Sequence, residues 1–477
     1  MNYYFSISII IIFFIVKISI CGEKKEIKYI LTNFTSKFPY KDEKNYFYEN
    51  HTNNYLFAKL KLGSNEQTVE MKIDLNLYET YIVKNDTVDT RLYEPYDAYS
   101  SKTFNTSIRF FSQKNEYSSA LLANDTLIVN NGQKNIKLDN FTFAFVDSGY
   151  NKIPGSIGFN LMNTAVYPKE SMNYIDQLKN NSLISGYSLT ILFKSNYNGQ
   201  LLIGADYDEI MPEELLSNYG LRIKASQKGI IDNGKWQLDL NKVLVGDSEL
   251  LYPKYIRFDL KNDFIIATEE YSEFIFKNFF SKYLGSGKCI KEELSSFKYY
   301  VGIKCQKDID LQEFPDLTFY IASSLEQFKL VLNYEDLFEE LGEYKYFKII
   351  ITINDISTIK ISEYWNFGKQ FFKSYIVTFN KERKDITIYY KETKKKEKSS
   401  SDSSDSSDSS GSSDSTGSSG SSGTSKKVWL WILLSILIVM TGVIIYLLII
   451  CIKQGKIIKR RKRLNFLQDE LEDENIN

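Results

Sequence analysis

Ile73-Asp74-Leu75-Asn76 recurs far along the chain as Phe258-Asp259-Leu260-Lys261, each aspartate preceded by an apolar residue and followed by leucine. A later apolar-glycine unit accompanies each copy, Ser156-Ile157-Gly158-Phe159 in the first half and Asn366-Phe367-Gly368 in the second. A duplication of this kind predicts two lobes of one design, each contributing one carboxylate.

Around these copies the chain reads as strands. Tyr55–Leu62, Thr68–Ile73 and Asp385–Tyr390 are short runs of strand-type residues split from their neighbours by Asn, Asp and Gly. Leu189–Lys194 and Gln200–Gly204 flank Asn198-Gly199, a pair suited to the left-handed angles of a tight hairpin turn. Helical patterns are short, as at Tyr271–Tyr283 and Ser324–Leu341. Aromatic residues make up 15% of the chain, and they fit a pleated, half-buried surface. An all-β body with minor helices follows, and 477 residues are too many for one ordinary domain.

The residue inventory restricts the chemistry. The chain has one histidine, His51, so a Ser-His-Asp triad, a Cys-His pair or a zinc site has little to build on. Neither a phosphate-cradling Gly-Lys-Ser/Thr loop nor a glycine-rich dinucleotide turn is present. Lys plus Arg (59) nearly cancels Asp plus Glu (60), so no basic field points to nucleic acid. Carboxylates remain. Two of them brought together share a proton, so that one activates water while the other protonates a substrate amide.

The ends of the chain point to the secretory pathway. The apolar run Ile9–Val16, closing at Ser19-Ile20-Cys21-Gly22, reads as a signal peptide over 1–22. Seven Asn-X-Ser/Thr sequons, at Asn33, Asn50, Asn85, Asn105, Asn124, Asn140 and Asn180, are candidate glycosylation sites. The segment 428–452 has no charge and is long enough to span a bilayer. Lys453, Lys456 and Lys459–Arg463 follow it, which places the C-terminus in the cytosol. A Lys run and Ser/Asp/Gly repeats over 394–427 form a stalk too polar to build a core. In an oxidising lumen Cys289 and Cys305 pair most simply with each other.

In order along the body, the sequence resembles the pepsin family of aspartic peptidases. Lys72–Leu77 followed by Tyr81-Ile82-Val83 is similar to that family's first active-site turn and the strand after it. Ile153–Asn160 resembles the segment supporting the first aspartate, and Tyr187–Gly204 the strands leading into the second lobe. Trp236-Gln237-Leu238, Ile256–Asp259, Phe314–Phe319 and Tyr364–Gly368 continue the likeness, with Cys289 and Cys305 where the family carries a disulfide. The resemblance implies a bilobal all-β fold, a dyad of Asp74 and Asp259, a flap aromatic at Phe110, and no cofactor or metal. The implied division is 1–22 signal peptide, 23–53 N-terminal extension or remnant pro-segment, 54–190 and 191–393 the two lobes, 394–427 stalk, 428–452 membrane helix and 453–477 cytosolic tail.

The departures fall where catalysis would occur. The family's Thr-Gly after each aspartate is replaced by Leu75-Asn76 and Leu260-Lys261. Leucine cannot make the hydroxyl cross-bonds of those threonines, lysine is poorly suited to a glycine-only conformation, and an ammonium reaching the dyad discourages a shared proton. The reading is a membrane-anchored, catalytically impaired pepsin-like protein with a peptide- or protein-binding cleft or scaffold role, at the cell surface or in an endolysosomal-type compartment. An active aspartic endopeptidase and a glycosylated adhesion or sorting receptor are the alternatives.

Overall fold

The computed structural model describes residues 27–37, 55–90, 92–111, 119–130, 134–146, 153–160, 172–195, 197–211, 220–224, 235–251, 255–267, 271–294, 300–321, 328–352 and 364–390. The signal-peptide, stalk, membrane-helix and tail expectations, with Asn50 and His51, lie outside them. No helix among the described residues is long and apolar enough to cross a membrane.

The first part of the chain gives β1 (Ile30–Lys37), β2 (Tyr55–Leu62), β3 (Gln67–Asp74), β4 (Tyr81–Val83), β5 (Asn105–Phe111), β6 (Ser119–Asn130), β7 (Asn135–Val146), β8 (Gly155–Gly158), β9 (Ser188–Phe193), β10 (Asn198–Ile203) and β11 (Gly220–Lys224). The second gives β12 (Gln237–Val245), β13 (Ser248–Leu251), β14 (Tyr255–Phe258), β15 (Ile265–Ala267), β16 (Cys289–Glu293), β17 (Tyr300–Gln306), β18 (Leu317–Ile321), β19 (Phe328–Leu332), β20 (Phe338–Leu341), β21 (Tyr344–Phe347), β22 (Ile349–Thr352), β23 (Trp365–Phe367), β24 (Tyr375–Asn380) and β25 (Asp385–Tyr390). Described strands β1–β11, β24 and β25 form one sheet; β12–β23 form the other. Mostly antiparallel strands in two sheets make the fold all-β.

In the first sheet the order is β11-β25-β24-β9-β10-β1-β2-β3-β8-β4-β7-β6-β5, and β2 also pairs with β6. The path from β2 through β3, β8, β4, β7 and β6 therefore closes on itself, which removes edges that would otherwise stay unpaired. The main path of the second sheet runs β19-β18-β12-β14-β23-β15-β22-β17-β21-β20. Residue 191 lies inside β9, and the last two strands return to the first sheet, so one cut at 190/191 does not separate the sheets. Within 23–53 the described residues include β1, which lies between β10 and β2.

One apolar cluster runs through both sheets, from Ile30 to Ile388, and includes Leu75, Trp236, Phe258 and Leu260. Phe258 on β14 meets Phe379 on β24 with ring centroids 5.5 Å apart, and Trp236 meets the same Phe379 at 5.0 Å. The indole N–H of Trp236 donates to the Phe159 carbonyl at 3.0 Å, tying the second sheet to the segment behind Asp74. The expected Cys289–Cys305 disulfide is formed, between opposed residues of β16 and β17.

Two local expectations fail for physical reasons. Ser324–Leu341 is not a helix: its described part forms β19, a short helical turn over Tyr334–Leu337, and β20. Leu330 and Leu332 are buried while Lys329 is exposed, a two-residue alternation that pairing with β18 uses. Asn198-Gly199 is not the apex of its hairpin, because both residues lie in β10 and the connection is 194–197. Gly199 sits opposite Phe34 of β1, and a Cβ there would come within 2.3 Å of the Phe34 ring. The glycine makes room for a ring; it does not supply a turn angle.

Candidate functional site

The repeated units end two strands that are braced alike. β3 runs parallel to β8 with Asp74 opposite Gly158, and β14 runs parallel to β23 with Phe258 opposite Phe367. The Phe159 amide donates to the Asp74 carbonyl at 2.9 Å, and the Asp259 amide donates to the Phe367 carbonyl at 3.0 Å. A Cβ at Gly158 would stand 2.6 Å from the Leu77 and Glu79 carbonyls, and one at Gly368 would stand 2.2 Å from the Phe264 carbonyl. The apolar-glycine units are thus close-approach points that hold each aspartate turn.

Each carboxylate is caught by its own turn. The Asn76 amide donates to Asp74 Oδ1 at 2.9 Å, and the Lys261 amide donates to Asp259 Oδ1 at 2.9 Å. Neither Asn76 nor Lys261 takes a positive φ, so these positions do not demand glycine angles, contrary to the expectation of a strained Lys261. Leu75 and Leu260 are buried in the shared apolar cluster, where hydrocarbon packing stands in for hydroxyl cross-bonds.

Asp74 carries the main surprise. Lys72, two residues earlier on the same face of β3, places its ammonium 3.2 Å from Asp74 Oδ2, with both side chains only 1% exposed. Lys261 crosses from the other unit to within 3.4 Å of the same oxygen. Burial pushes the Asp74 carboxyl up, but Lys72, Lys261 and the Asn76 amide together outweigh it and hold the group below the ordinary carboxylate range. The signal for Lys72 was its two-residue spacing from Asp74 in a strand buried on both faces.

The surroundings of Asp259 are different. Its Oδ2 accepts from Asn262 Nδ2 at 3.1 Å and, more weakly, from Asn366 Nδ2 at 3.5 Å. Beside it, Lys369 and Asp263 form a second buried ion pair at 3.1 Å, again unannounced in the sequence reading. Burial lowers the Lys369 ammonium, with Asp263 opposing that shift. Arg257, two residues before Asp259, lies 3.8 Å from the Tyr364 ring centroid and 5.2 Å from that of Tyr255.

The flap candidate, Phe110, pairs through its backbone with Ala120 in the β5–β6 hairpin, whose connection 112–118 lies outside the described residues. Of the sequon asparagines, Asn33, Asn85, Asn105, Asn140 and Asn180 are exposed and Asn124 is half-buried. Among the described residues there is no group of three or more His, Cys, Asp or Glu able to hold a metal ion.

No protein-family model matches the chain, and no curated protein matches it. Among solved structures it is similar to conglutin gamma, a basic 7S globulin from lupine seeds, with TM-score 0.55 and 11% identity over 76% of this chain and 95% of that one. The basic 7S globulin of soybean gives the same values. At that identity the likeness speaks for fold alone, and together with the two braced aspartate turns it marks this fold as pepsin-like.

Proposed function

We propose that this chain is a membrane-anchored, pepsin-like protein whose two aspartates serve structure and ligand binding instead of peptide hydrolysis. The observation that carries the reading is the convergence of Lys72 and Lys261 on one oxygen of Asp74. A hydrolytic pair needs one carboxyl to hold a proton and pass it on. A carboxylate facing two ammonium groups in a buried place resists taking that proton. With Leu75 and Leu260 after the two aspartates, these positions offer no hydroxyl for the bonded arrangement that the chemistry uses. A misplacement of about 1 Å in such a constellation costs ~10²-fold in rate. The signal peptide, sequons and apolar segment 428–452 support a glycosylated ectodomain held at a membrane, and the final compartment is a cell surface or endolysosomal-type membrane.

The active-endopeptidase reading draws on the matched amide bonds to Asp74 and Asp259, both 2.9 Å, which keep two carboxylates on equivalent turns. The test is peptide cleavage by the purified ectodomain from acidic to neutral pH, against a folded Asp74→Asn, Asp259→Asn control. No cleavage above that control is the expected result. Cleavage that disappears in the control would overturn the reading.

A further inference from the structure

Lys369 and Asp263 are brought together by backbone as well as by charge. The Lys369 amide donates to the Asn262 carbonyl at 2.8 Å, and the Gln370 amide donates to the Asp263 carbonyl at 2.7 Å. Just ahead of them Gly368 packs so closely that a Cβ there would stand 2.5 Å from the Asn262 carbonyl oxygen. Ile265 then pairs with Phe367 across β15 and β23. The two segments are clamped on either side of the pair, and Lys369 Nζ stands 3.1 Å from Asp263 Oδ1. An amine and a carboxyl group fixed at about 3–3.5 Å react without the entropy cost of an encounter.

Burial decides which forms of the two groups meet. The side chains are 1% and 3% exposed, and such a place disfavours charge on both partners. Burial pushes the Lys369 ammonium toward the neutral amine, against the pull of Asp263. Moving one proton from Nζ to the carboxylate discharges both groups at once. It leaves a nucleophilic amine beside an electrophilic carboxylic acid. The Lys72–Asp74 pair is equally buried but does not offer this. There burial is outweighed by Lys72, Lys261 and the Asn76 amide, which hold Asp74 ionised, and an ionised carboxylate resists attack by an amine.

We propose that Lys369 and Asp263 join, once the chain has folded, through an intramolecular isopeptide bond. Nζ attacks the Asp263 carboxyl carbon, the Nζ–Cγ bond forms, and the bond from Cγ to one carboxyl oxygen breaks. That oxygen leaves as water with its own proton and one from the amine. The sum is an amide and one water, with nothing oxidised or reduced. The pair is too buried for a modifying enzyme to reach, so the chain makes the bond itself. The product is neutral and removes the cost of keeping two charges out of water. It also turns the hydrogen-bonded clamp between 262–263 and 369–370 into a covalent one.

The test is mass spectrometry of the purified full-length chain after denaturation, reduction and digestion with trypsin, which cuts after a free lysine. An unlinked chain yields 262–277 and 361–369 as separate linear peptides. The expected result is a branched species of 262–277 joined to 361–373, lighter than the two together by one water, because acylated Lys369 is no longer cut. Fragment spectra are expected to place the link at Lys369 and Asp263. Lys369→Arg keeps a cation and a cleavage site but no nucleophilic amine, and is expected to lose the branched species. Wild-type chain that yields only the two linear peptides would overturn the proposal, whether or not the variant folds. A link mapped to other residues, or one that persists in Lys369→Arg, would overturn it as well.

Discussion

The Lys261 ammonium stands 3.4 Å from Oδ2 of Asp74, while the amide of the same residue donates to Oδ1 of Asp259. A single residue after β14 of the second sheet therefore touches both Asp74, which ends β3, and Asp259, which follows β14. Backbone and side chain act separately here. The amide bond keeps the Asp259 turn in the same form as the Asp74 turn, and the side chain changes the electrostatics of its counterpart.

The Lys72–Asp74 pair is buried, and removing one partner of a buried pair strands the other charge. Lys72→Met is expected to lower stability by about 3 kcal/mol in urea unfolding. Lys72→Met combined with Asp74→Leu is expected to recover most of the loss, because hydrocarbon then fills the space of both charges. A loss in the double variant equal to the sum of the losses in Lys72→Met and Asp74→Leu alone would show that the pair is not energetically coupled.

Much of this was legible in sequence, and the parts that were not have specific causes. Ile73–Asn76, Phe258–Lys261 and the two apolar-glycine units foretold the braced turns, because the carbonyls of the turn after each aspartate come too close to Gly158 and Gly368 to leave room for a Cβ. The strands Tyr55–Leu62 and Asp385–Tyr390 lie where alternation and composition place them. Ser324–Leu341 misled because Leu, Lys and Glu favour helices locally, while pairing with β18 decided the outcome. Lys72 and Lys369 are harder to read because a lysine in a sequence is normally a solvated residue; the spacing of Lys72 from Asp74 hints at one pair, and burial establishes both.

The direction of the Asp74 shift fixes a pH dependence. Its folded-state carboxyl lies below the ordinary range, since Lys72, Lys261 and the Asn76 amide overcome the burial that would raise it. The stability from its ionised form is present above the ordinary aspartate value of about 4 and is lost as pH falls through the lower folded-state value. Wild type is expected to exceed Asp74→Asn by a constant margin from about pH 7 to pH 5, with the margin closing below about pH 4. Chemical unfolding at a series of pH values measures it. A margin that already shrinks between neutrality and pH 5 would contradict the lowered carboxyl.

Lys348 sets the opposite limb. It is 7% exposed, and its ammonium donates to the Glu335 carbonyl at 3.1 Å. Burial lowers its pKa from 10.5 to about 8, against the pull of Glu339 and Asp336 and with a small push from Lys373. Below pH 8 both folded and unfolded chains carry the proton, and the folded state bears the full cost of the buried charge. Between pH 8 and 10.5 the unfolded chain holds a proton that the folded chain has lost, so stability attributable to this group rises with pH. Lys348→Met removes the titration. The variant's stability advantage over wild type is expected to fall by roughly 3 kcal/mol between pH 7 and pH 11. Differences between the two proteins cancel the tyrosines and other lysines that titrate in the same range. A gap that stays level across that range would mean that Lys348 keeps an ordinary ammonium in the folded chain.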